Sequence, residues 1–186
     1  MPTPRERLRA MLREHSYRYD PAGGFRLVSG KTSQHYVDCK ATTMRGDAAE
    51  LIGAAVAELL PDGVVAVGGL TMGADPIALA TASYCTRHGR PMHAFAVRKE
   101  AKKHGMKKWI EGCAGAGTAV AVLDDVVTTG GSTIDAIEKC RQEGLRIAAV
   151  VVLVDRQEED GRGRIERVAG DGVPVRAVFT LAELAA

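Results

Sequence analysis

The chain has 186 residues, of which 46% are hydrophobic and 26% are charged, and this composition predicts a globule with a sizeable core. We expect one domain over residues 1–186. No run reaches the roughly 18 uninterrupted apolar residues of a membrane helix, and the charged N-terminus is unlike a signal sequence. These features favour a soluble, cytoplasmic protein with no membrane partner. The four cysteines form no CxxC pair, which indicates neither a zinc site nor a disulfide framework.

Net charge is +2, but the basic residues are unevenly distributed. Residues 98–108 contain six Lys or Arg and one Glu, which leaves 19 basic and 22 acidic residues for the rest of the chain. A nucleic-acid-binding protein is expected to carry a broader basic face. The concentration therefore indicates a small polyanion that meets one loop, and no nucleic-acid partner.

The first 40 residues predict a helix followed by a hairpin. Thr3, Pro4 and Glu6 form a capping-box pattern with proline at the first helical position, and the helix should continue to about His15. Residues 25–30 and 35–40 alternate between apolar and polar side chains in the manner of strands. We expect these two segments to pair with each other through a turn at residues 30–33.

From residue 47 onward, helical and strand patterns alternate along the chain. The predicted helices are residues 47–60, 74–88 and 133–143, with a short one from about Leu181. The predicted strands are residues 64–69, 92–97, 118–123, 147–154 and 174–179. Continuously hydrophobic strands separated by helices predict a doubly wound α/β fold, in which a parallel sheet carries helices on both faces. Ligands of such folds bind at the carboxyl ends of the strands.

The segment VLDDVVTTGGST, residues 122–133, carries the most specific chemistry. Asp124 and Asp125 follow an apolar run and are suitable acceptors for a diol, or for Mg²⁺ and its waters. The glycine-rich turn that follows can direct backbone N–H groups and a helix dipole at an anion. Its hydroxyls are further donors for phosphate oxygens, and they belong to Thr128, Thr129, Ser132 and Thr133. A ribose with a 5-phosphate satisfies both halves of this segment.

Two other glycine patterns resemble nucleotide-binding motifs but do not meet their requirements. The glycines between residues 112 and 117 precede a strand, whereas a dinucleotide-binding fingerprint must follow one. The tripeptide at residues 30–32 resembles part of a phosphate-binding P-loop, but the glycine that this motif requires five residues earlier is Phe25. Neither an NAD site nor a P-loop is predicted.

Residues 122–133 resemble the phosphoribosyl pyrophosphate binding motif of the type I phosphoribosyltransferases. Residues 98–105, RKEAKKHG, closely resemble the catalytic loop of the orotate phosphoribosyltransferases within that group. Residues 25–40 are similar to the hood of that family, with Tyr36 near the base, and residues 68–73 to its pyrophosphate loop. The resemblance implies the type I phosphoribosyltransferase fold, with residues 1–40 forming the N-terminal helix and hood.

The resemblance also implies which residues form the site. The catalytic residues would be Lys102, His104, Asp124 and Asp125. The residues implied to bind phosphoribosyl pyrophosphate are Arg98, Lys99, Lys102, His104, Asp124, Asp125, Val126, Val127, Thr128, Thr129, Gly130, Gly131 and Ser132. Thr128 and Arg156 would bind orotate, since a planar guanidinium can grip a carboxylate with two hydrogen bonds. The implied cofactor is Mg²⁺, held mainly by substrate oxygens, and the implied assembly is a homodimer that shares the cationic loop between subunits.

The implied activity is Mg-dependent transfer of ribose 5-phosphate to orotate, which gives orotidine 5′-monophosphate and pyrophosphate in pyrimidine biosynthesis. Val28 and Met72 depart from the pattern, because many family members carry lysine there. The alternatives are a purine phosphoribosyltransferase, a regulator that senses phosphoribosyl pyrophosphate and binds nucleic acid, and a catalytically dead paralogue. A purine enzyme would need neither residues 98–105 nor the DRQE of residues 155–158, and a regulator would need a broader basic face.

Overall fold

The computed structural model describes residues 2–26, 30, 32–101 and 108–186. The first helix, α1 (Pro4–Met11), begins with the predicted capping box, which is confirmed. The Thr3 backbone N–H donates to Glu6 Oε2 at 2.7 Å, and the Glu6 N–H donates to Thr3 Oγ1 at 3.2 Å. The chain continues as a π-helical turn, Leu12–Ser16, so the helical segment ends close to the predicted residue. Its buried Leu8 and Leu12 attach it to the core.

Four short strands follow and form two antiparallel ribbons: β1 (Tyr17–Tyr19), β2 (Phe25–Arg26), β3 (Thr32–Ser33) and β4 (His35–Val37). Below, the hood means residues 17–37, which span these four strands, whereas the resemblance placed it at residues 25–40. The predicted pairing of residues 25–30 with 35–40 is wrong, since β2 pairs with β3, and β4 pairs with β1. Alternation identifies a strand but not its partner. Here the His35 ring lies between Tyr17 and Tyr19, with ring centroids at 5.8 and 5.2 Å, and these contacts favour the β1–β4 ribbon.

The remaining elements build the α/β body. In chain order, they are α2 (Lys40–Thr43), a 3₁₀ turn (Gly46–Ala48), α3 (Ala49–Ala57), β5 (Ala66–Leu70), α4 (Ala74–Arg87), β6 (His93–Val97), β7 (Ile110–Gly112), β8 (Ala119–Val127), α5 (Gly131–Gln142), β9 (Arg146–Asp155), α6 (Gly161–Ala169), β10 (Val175–Thr180) and α7 (Leu181–Ala185). None of the helices in the described part of the chain is long and apolar enough to cross a membrane.

Six strands within the described residues form one sheet in the order β10–β9–β8–β5–β6–β7. All neighbours are parallel except β7, which runs antiparallel to β6 at the edge. Alternate side chains of β9 enter two separate cores: Val151 and Leu153 join one, and Val150 and Val152 join the other. This two-sided burial explains the continuous hydrophobic run of β9. The predicted doubly wound fold is confirmed.

Three local features differ from the prediction. Strand β8 runs through Asp124 and Asp125 to Val127, four residues beyond the predicted end, because its pairing with β9 continues as far as Val127 and Asp155. The edge strand β7 and the helix α6 lie in segments for which the sequence predicted no strand or helix. In α6 only Gly161, Ile165 and Ala169 are buried, so its sequence carries a weak apolar stripe.

Candidate active site

A pocket of about 640 Å³ lies between the hood and the carboxyl ends of β8 and β9. It therefore occupies the edge of the sheet at which ligands of doubly wound folds bind. Its lining comes from Arg26, Tyr36, Val37, Asp38, Lys40, Asp124, Asp125, Val126, Thr128, Thr129, Gly130, Gly131, Ser132 and Arg156. The structure thus brings the acid pair, the glycine-rich turn and Arg156 into one cavity.

Asp124 is the more deeply embedded member of the acid pair, with 5% of the residue exposed. Its Oδ2 accepts a hydrogen bond from the Thr133 hydroxyl at 2.6 Å, and its Oδ1 accepts one from the Asp125 N–H at 3.0 Å. Burial raises the pKa of Asp124 to about 7, and the charge of Asp125 adds to the rise, while the Thr133 hydrogen bond opposes it. The surroundings of Asp124 therefore favour its protonated form more than water does.

Asp125 has a cationic partner from the segment that follows the hood. Lys40 Nζ lies 3.0 Å from Asp125 Oδ2 and 3.4 Å from Asp38 Oδ1. Partial burial alone would lower the pKa of Lys40, but the hydrogen bond and charge of Asp125 outweigh it and raise that pKa. Lys40 is therefore charged at neutral pH. The remaining Asp125 oxygen, Oδ1, accepts from the Val126 N–H at 3.0 Å.

The segment of residues 68–73, which resembles a pyrophosphate loop, approaches the acid pair closely. A Cβ at Gly73 would lie 2.5 Å from Asp125 Oδ1, so a larger residue would displace that carboxylate. At Gly69 a Cβ would lie 2.0 Å from the Leu123 carbonyl oxygen. Met72 is 56% exposed and is not part of the pocket lining.

The glycine-rich turn leads directly into α5. Gly130 adopts a left-handed conformation with φ of +78°, and a Cβ there would meet the Gly161 carbonyl oxygen at 2.7 Å. Thr128, Thr129 and Ser132 line the pocket, as expected for phosphate donors. Thr133 does not, because its hydroxyl is buried and directed at Asp124, so its expected phosphate contact is wrong.

Val127 also lies outside the pocket lining. It is 2% exposed and packs in the core on the α5 side of the sheet, so only its backbone is near the turn. Val126, its neighbour, does line the pocket. Neighbouring strand residues point to opposite faces of a sheet, which explains why one valine faces the cavity and the other does not.

Arg156 lines the pocket but is already held by protein groups. Its Nε donates to Glu158 Oε2 at 3.1 Å, and its Nη2 donates to Glu158 Oε1 at 3.1 Å. Nη2 also reaches two hood groups, the His35 carbonyl oxygen at 3.1 Å and Ser33 Oγ at 3.3 Å. Only 3% of the Arg156 side chain is exposed. The guanidinium therefore joins the end of β9 to the hood.

The cationic segment that resembles a catalytic loop is only partly described. Lys102 and His104 lie outside the described residues, as does Val28. The Arg98 guanidinium pairs with Glu111 at 3.1 Å, and neither Arg98 nor Lys99 belongs to the pocket lining. Lys139 of α5 donates to the carbonyl oxygens of Arg98 and Lys99, each at 3.0 Å. The structure thus places these two residues beside α5 rather than in the cavity.

No protein-family model matches the chain. Among curated proteins, it is 45% identical to the orotate phosphoribosyltransferase of Aquifex aeolicus over 184 residues, which cover 97% of each chain. The chain belongs to the orotate phosphoribosyltransferase family. Its members are pentosyltransferase enzymes, and the agreement over nearly the full length favours this activity over a purine phosphoribosyltransferase or a nucleic-acid-binding regulator.

Solved orotate phosphoribosyltransferases share the fold. The Mycobacterium tuberculosis enzyme in complex with Fe(III) dicitrate superposes with a TM-score of 0.84 at 36% identity, over 99% of this chain and 100% of that one. The same enzyme in complex with phosphoribosyl pyrophosphate superposes with a TM-score of 0.76 at 32% identity, over 99% and 93% of the two chains. The type I phosphoribosyltransferase fold inferred from the sequence is confirmed.

The sequence predicted no role for several residues that line this pocket. Arg26, Asp38 and Lys40 belong to or directly follow the hood. A signal was present in the alternation of acid and base at residues 38 and 40, just after a predicted strand. Tyr36, by contrast, was expected near the base, and it lines the pocket with its ring stacked on Phe25 at 5.5 Å.

Proposed function

We propose that this pocket transfers the ribose 5-phosphate group of phosphoribosyl pyrophosphate to N1 of orotate, with the residue roles given below. The bond between ribose C1 and pyrophosphate breaks, a C1–N1 bond forms, and the products are orotidine 5′-monophosphate and pyrophosphate. This is a step of UMP biosynthesis. The observation that carries the assignment is the meeting of an acid pair, an anion-binding turn and a buried guanidinium in one cavity.

The glycine-rich turn holds the 5-phosphate in this proposal. Backbone N–H groups at the start of α5 are unpaired within the helix and face an anion with the positive end of the helix dipole behind them. The hydroxyls of Thr128, Thr129 and Ser132 add donors at the same edge of the pocket. Asp124 and Asp125 accept hydrogen bonds from the ribose hydroxyls, as ionised carboxylates do.

Catalysis requires charge stabilisation more than a strong base. Breaking the C1–O bond builds positive charge on the ribose and negative charge on pyrophosphate. Asp124 and Asp125 face the ribose, while the resemblance assigns Lys102 and His104, with Arg98 and Lys99, to pyrophosphate. The N1–H of orotate loses its proton as the C1–N1 bond forms, and the departing pyrophosphate or water can accept that proton, so the transfer needs no dedicated general base.

We also propose Mg²⁺ as the cofactor. The oxygen donors of Asp124 and Asp125 suit a hard cation, and the described residues contain no group of three or more His, Cys, Asp or Glu side chains that could hold a metal by themselves. Substrate oxygens would therefore supply most of the ligands, with the acid pair acting through ribose hydroxyls or waters. When bound, Mg²⁺ neutralises charge on the pyrophosphate.

Orotate recognition is assigned to Thr128 and Arg156. Both line the cavity, each directly after the last residue of one of the neighbouring strands β8 and β9. Arg156 provides the only guanidinium in the described pocket lining besides the hood residue Arg26. A buried guanidinium favours a carboxylate substrate over an uncharged base, because a hydrogen bond to a carboxylate is charge-assisted and stronger than one to a neutral acceptor.

A cytoplasmic homodimer completes the proposal. The resemblance implies that Lys102 and His104 of one subunit reach the pocket of the other. An apolar groove on the α4 side supports a second copy of the chain, because it exposes 63% of Met44 and 64% of Leu79. Exposed apolar groups of this kind are typical of protein interfaces.

The direct test is an activity assay on the purified protein. Orotate, phosphoribosyl pyrophosphate and Mg²⁺ are mixed with the enzyme, and the loss of orotate is followed. Uracil, adenine and hypoxanthine serve as control acceptors. We expect turnover with orotate alone, whereas activity on a purine without activity on orotate would contradict the proposal.

A further inference from the structure

The guanidinium of Arg156 has a specific set of occupied and unoccupied donors. Arginine carries five N–H groups, one on Nε and two on each Nη. The Nε and Nη2 edge is filled by the two oxygens of Glu158, both at 3.1 Å. The other Nη2 hydrogen faces the His35 carbonyl and Ser33 hydroxyl oxygens. Among the described residues, no hydrogen bond engages Nη1, so its two N–H groups remain for a ligand.

Burial makes this arrangement rigid. The Arg156 side chain is 3% exposed, whereas Glu158 is 29% exposed and closes the pair from the solvent side. A buried guanidinium that lost this carboxylate would keep two unpaired donors, which is costly in a low-dielectric surrounding. Glu158 therefore supplies two of the contacts that hold the Arg156 guanidinium, beside those of Ser33 and His35.

We propose that Glu158 is a positioning residue for orotate recognition: it occupies the Nε and Nη2 edge of Arg156 and leaves Nη1 to bind the substrate carboxylate. The substrate carboxylate thus binds at Nη1, at the end of the guanidinium, rather than at the edge formed by Nε and Nη2. This inference rests on the proposed role of Arg156 in binding orotate. It adds a residue that does not itself contact the substrate.

Two opposing effects decide the result of removing Glu158. Its negative charge repels an anionic substrate, so its loss could strengthen binding. However, Glu158 is partly exposed, and solvent screens that repulsion. Without Glu158, the Arg156 guanidinium keeps only its Nη2 contacts to Ser33 and His35, so its remaining freedom must be lost each time orotate binds. Ordering a long side chain in this way weakens binding by a factor of about 3 to 10. We expect the ordering effect to dominate.

The test compares steady-state kinetics of Glu158→Ala and Glu158→Gln with those of the unchanged enzyme. The KM for orotate should rise about 3- to 10-fold in Glu158→Ala and less in Glu158→Gln, whose amide oxygen keeps one acceptor. The KM for phosphoribosyl pyrophosphate and kcat should stay within about twofold. A rise in both KM values with a fall in kcat would indicate general distortion and would overturn the proposal.

A matched control is available in α6. Glu166 accepts from Arg162 Nε at 2.9 Å, and both side chains of this pair are about half exposed. Glu166→Gln removes the same charge from an arginine–glutamate pair outside the pocket lining. Its KM for orotate should not change.

The Arg156→Lys variant separates the proposed role of Arg156 in binding orotate from the proposed positioning role of Glu158. Lysine is a point cation that two carboxylate oxygens cannot hold edge-on in the same way. An unchanged KM for orotate in Arg156→Lys would refute the proposed role of Arg156 itself. A raised KM in Arg156→Lys, combined with an unchanged or lowered KM in Glu158→Ala, would leave Arg156 in place and refute the positioning role of Glu158.

The double variant provides a last check. If Glu158 acts through Arg156, adding Glu158→Ala to Arg156→Lys should raise the KM for orotate no further. If the fold increase in the KM for orotate in the double variant equals the product of the increases in the two single variants, Glu158 acts independently of Arg156, contrary to the proposal.

Discussion

The Thr133 hydroxyl lies 2.6 Å from Asp124 Oδ2 and joins the first turn of α5 to the end of β8. This hydrogen bond lowers the pKa of Asp124 against the stronger effect of burial, which raises it. A hydroxyl from the predicted phosphate turn thus serves the acid pair instead. The contact links the geometry of the proposed phosphate site to the charge of the proposed ribose site.

Replacing Thr133 with valine should move the acid limb of the pH profile of kcat/KM to higher pH. The isosteric change removes the donor to Asp124, so this carboxyl group should ionise at higher pH. We expect kcat/KM for phosphoribosyl pyrophosphate at pH 7 to fall about 3- to 10-fold, with recovery at higher pH. The control is Thr81→Val, which removes a buried hydroxyl bonded to the Ile77 carbonyl at 2.8 Å in α4. Matching pH profiles for Thr133→Val and the unchanged enzyme would contradict this account.

Replacing Asp124 with asparagine should stabilise the fold at alkaline pH while it removes activity. The pKa of Asp124 is about 7 in the folded protein and near 3.8 in the unfolded chain, so between these values the folded state binds more protons. The free energy of unfolding therefore falls as pH rises through this window. Asparagine cannot ionise and escapes this loss, which amounts to as much as about 4 kcal/mol above pH 7.

The measurement for Asp124→Asn is urea unfolding at pH 5 and pH 8. The stability difference between variant and parent should shift in favour of the variant at pH 8. A constant difference across this range would mean that Asp124 ionises at its ordinary value. Loss of turnover with retained stability would further separate its chemical role from a structural one.

Replacing Lys40 with methionine should impair use of the sugar donor. The change leaves Asp125 without the cation that lies 3.0 Å from its Oδ2, in a pocket where that carboxylate is 9% exposed. We expect kcat/KM for phosphoribosyl pyrophosphate to fall about 10- to 100-fold, less than the loss of a group that contacts the reacting atoms. Lys40→Arg should restore much of it, since a guanidinium can also reach a carboxylate. Equal activity of Lys40→Met and the parent would show that Asp125 needs no counterion.

Replacing Lys102 with alanine tests the cationic loop, and mixed dimers test its sharing between subunits. Removing a preorganised charge contact typically reduces the rate about 10²- to 10³-fold, and we expect at least a 10²-fold loss here. A Lys102→Ala subunit paired with an Asp125→Asn subunit should recover activity, because one of the two pockets then has both residues intact. Normal turnover of Lys102→Ala would refute its role, and no recovery after proven subunit exchange would refute the sharing.

The sequence by itself determined the features that depend on neighbouring residues. The hydrophobic runs predicted the strands of the sheet. The ligand-binding chemistry of residues 124–132 was also predictable, because the end of a strand, a turn and the start of a helix follow one another directly in this segment. The capping box of α1 was predictable for the same reason, since Thr3 and Glu6 are three residues apart. The family resemblance also rested on such contiguous segments.

Only the tertiary structure decided which distant groups meet. Lys40 and Asp125 are 85 positions apart, and Arg156 and His35 are 121 apart, so no local pattern could pair them. The pairing of the hood strands was predicted wrongly for a related reason. Alternation determines which face of a strand is exposed but not which strand lies beside it. Ser132 and Thr133 are adjacent, yet about 100° of helical rotation separates their side chains. Packing of α5 on β8 turns the first to the pocket and the second to Asp124, because the orientation of a helix is set by the core it covers.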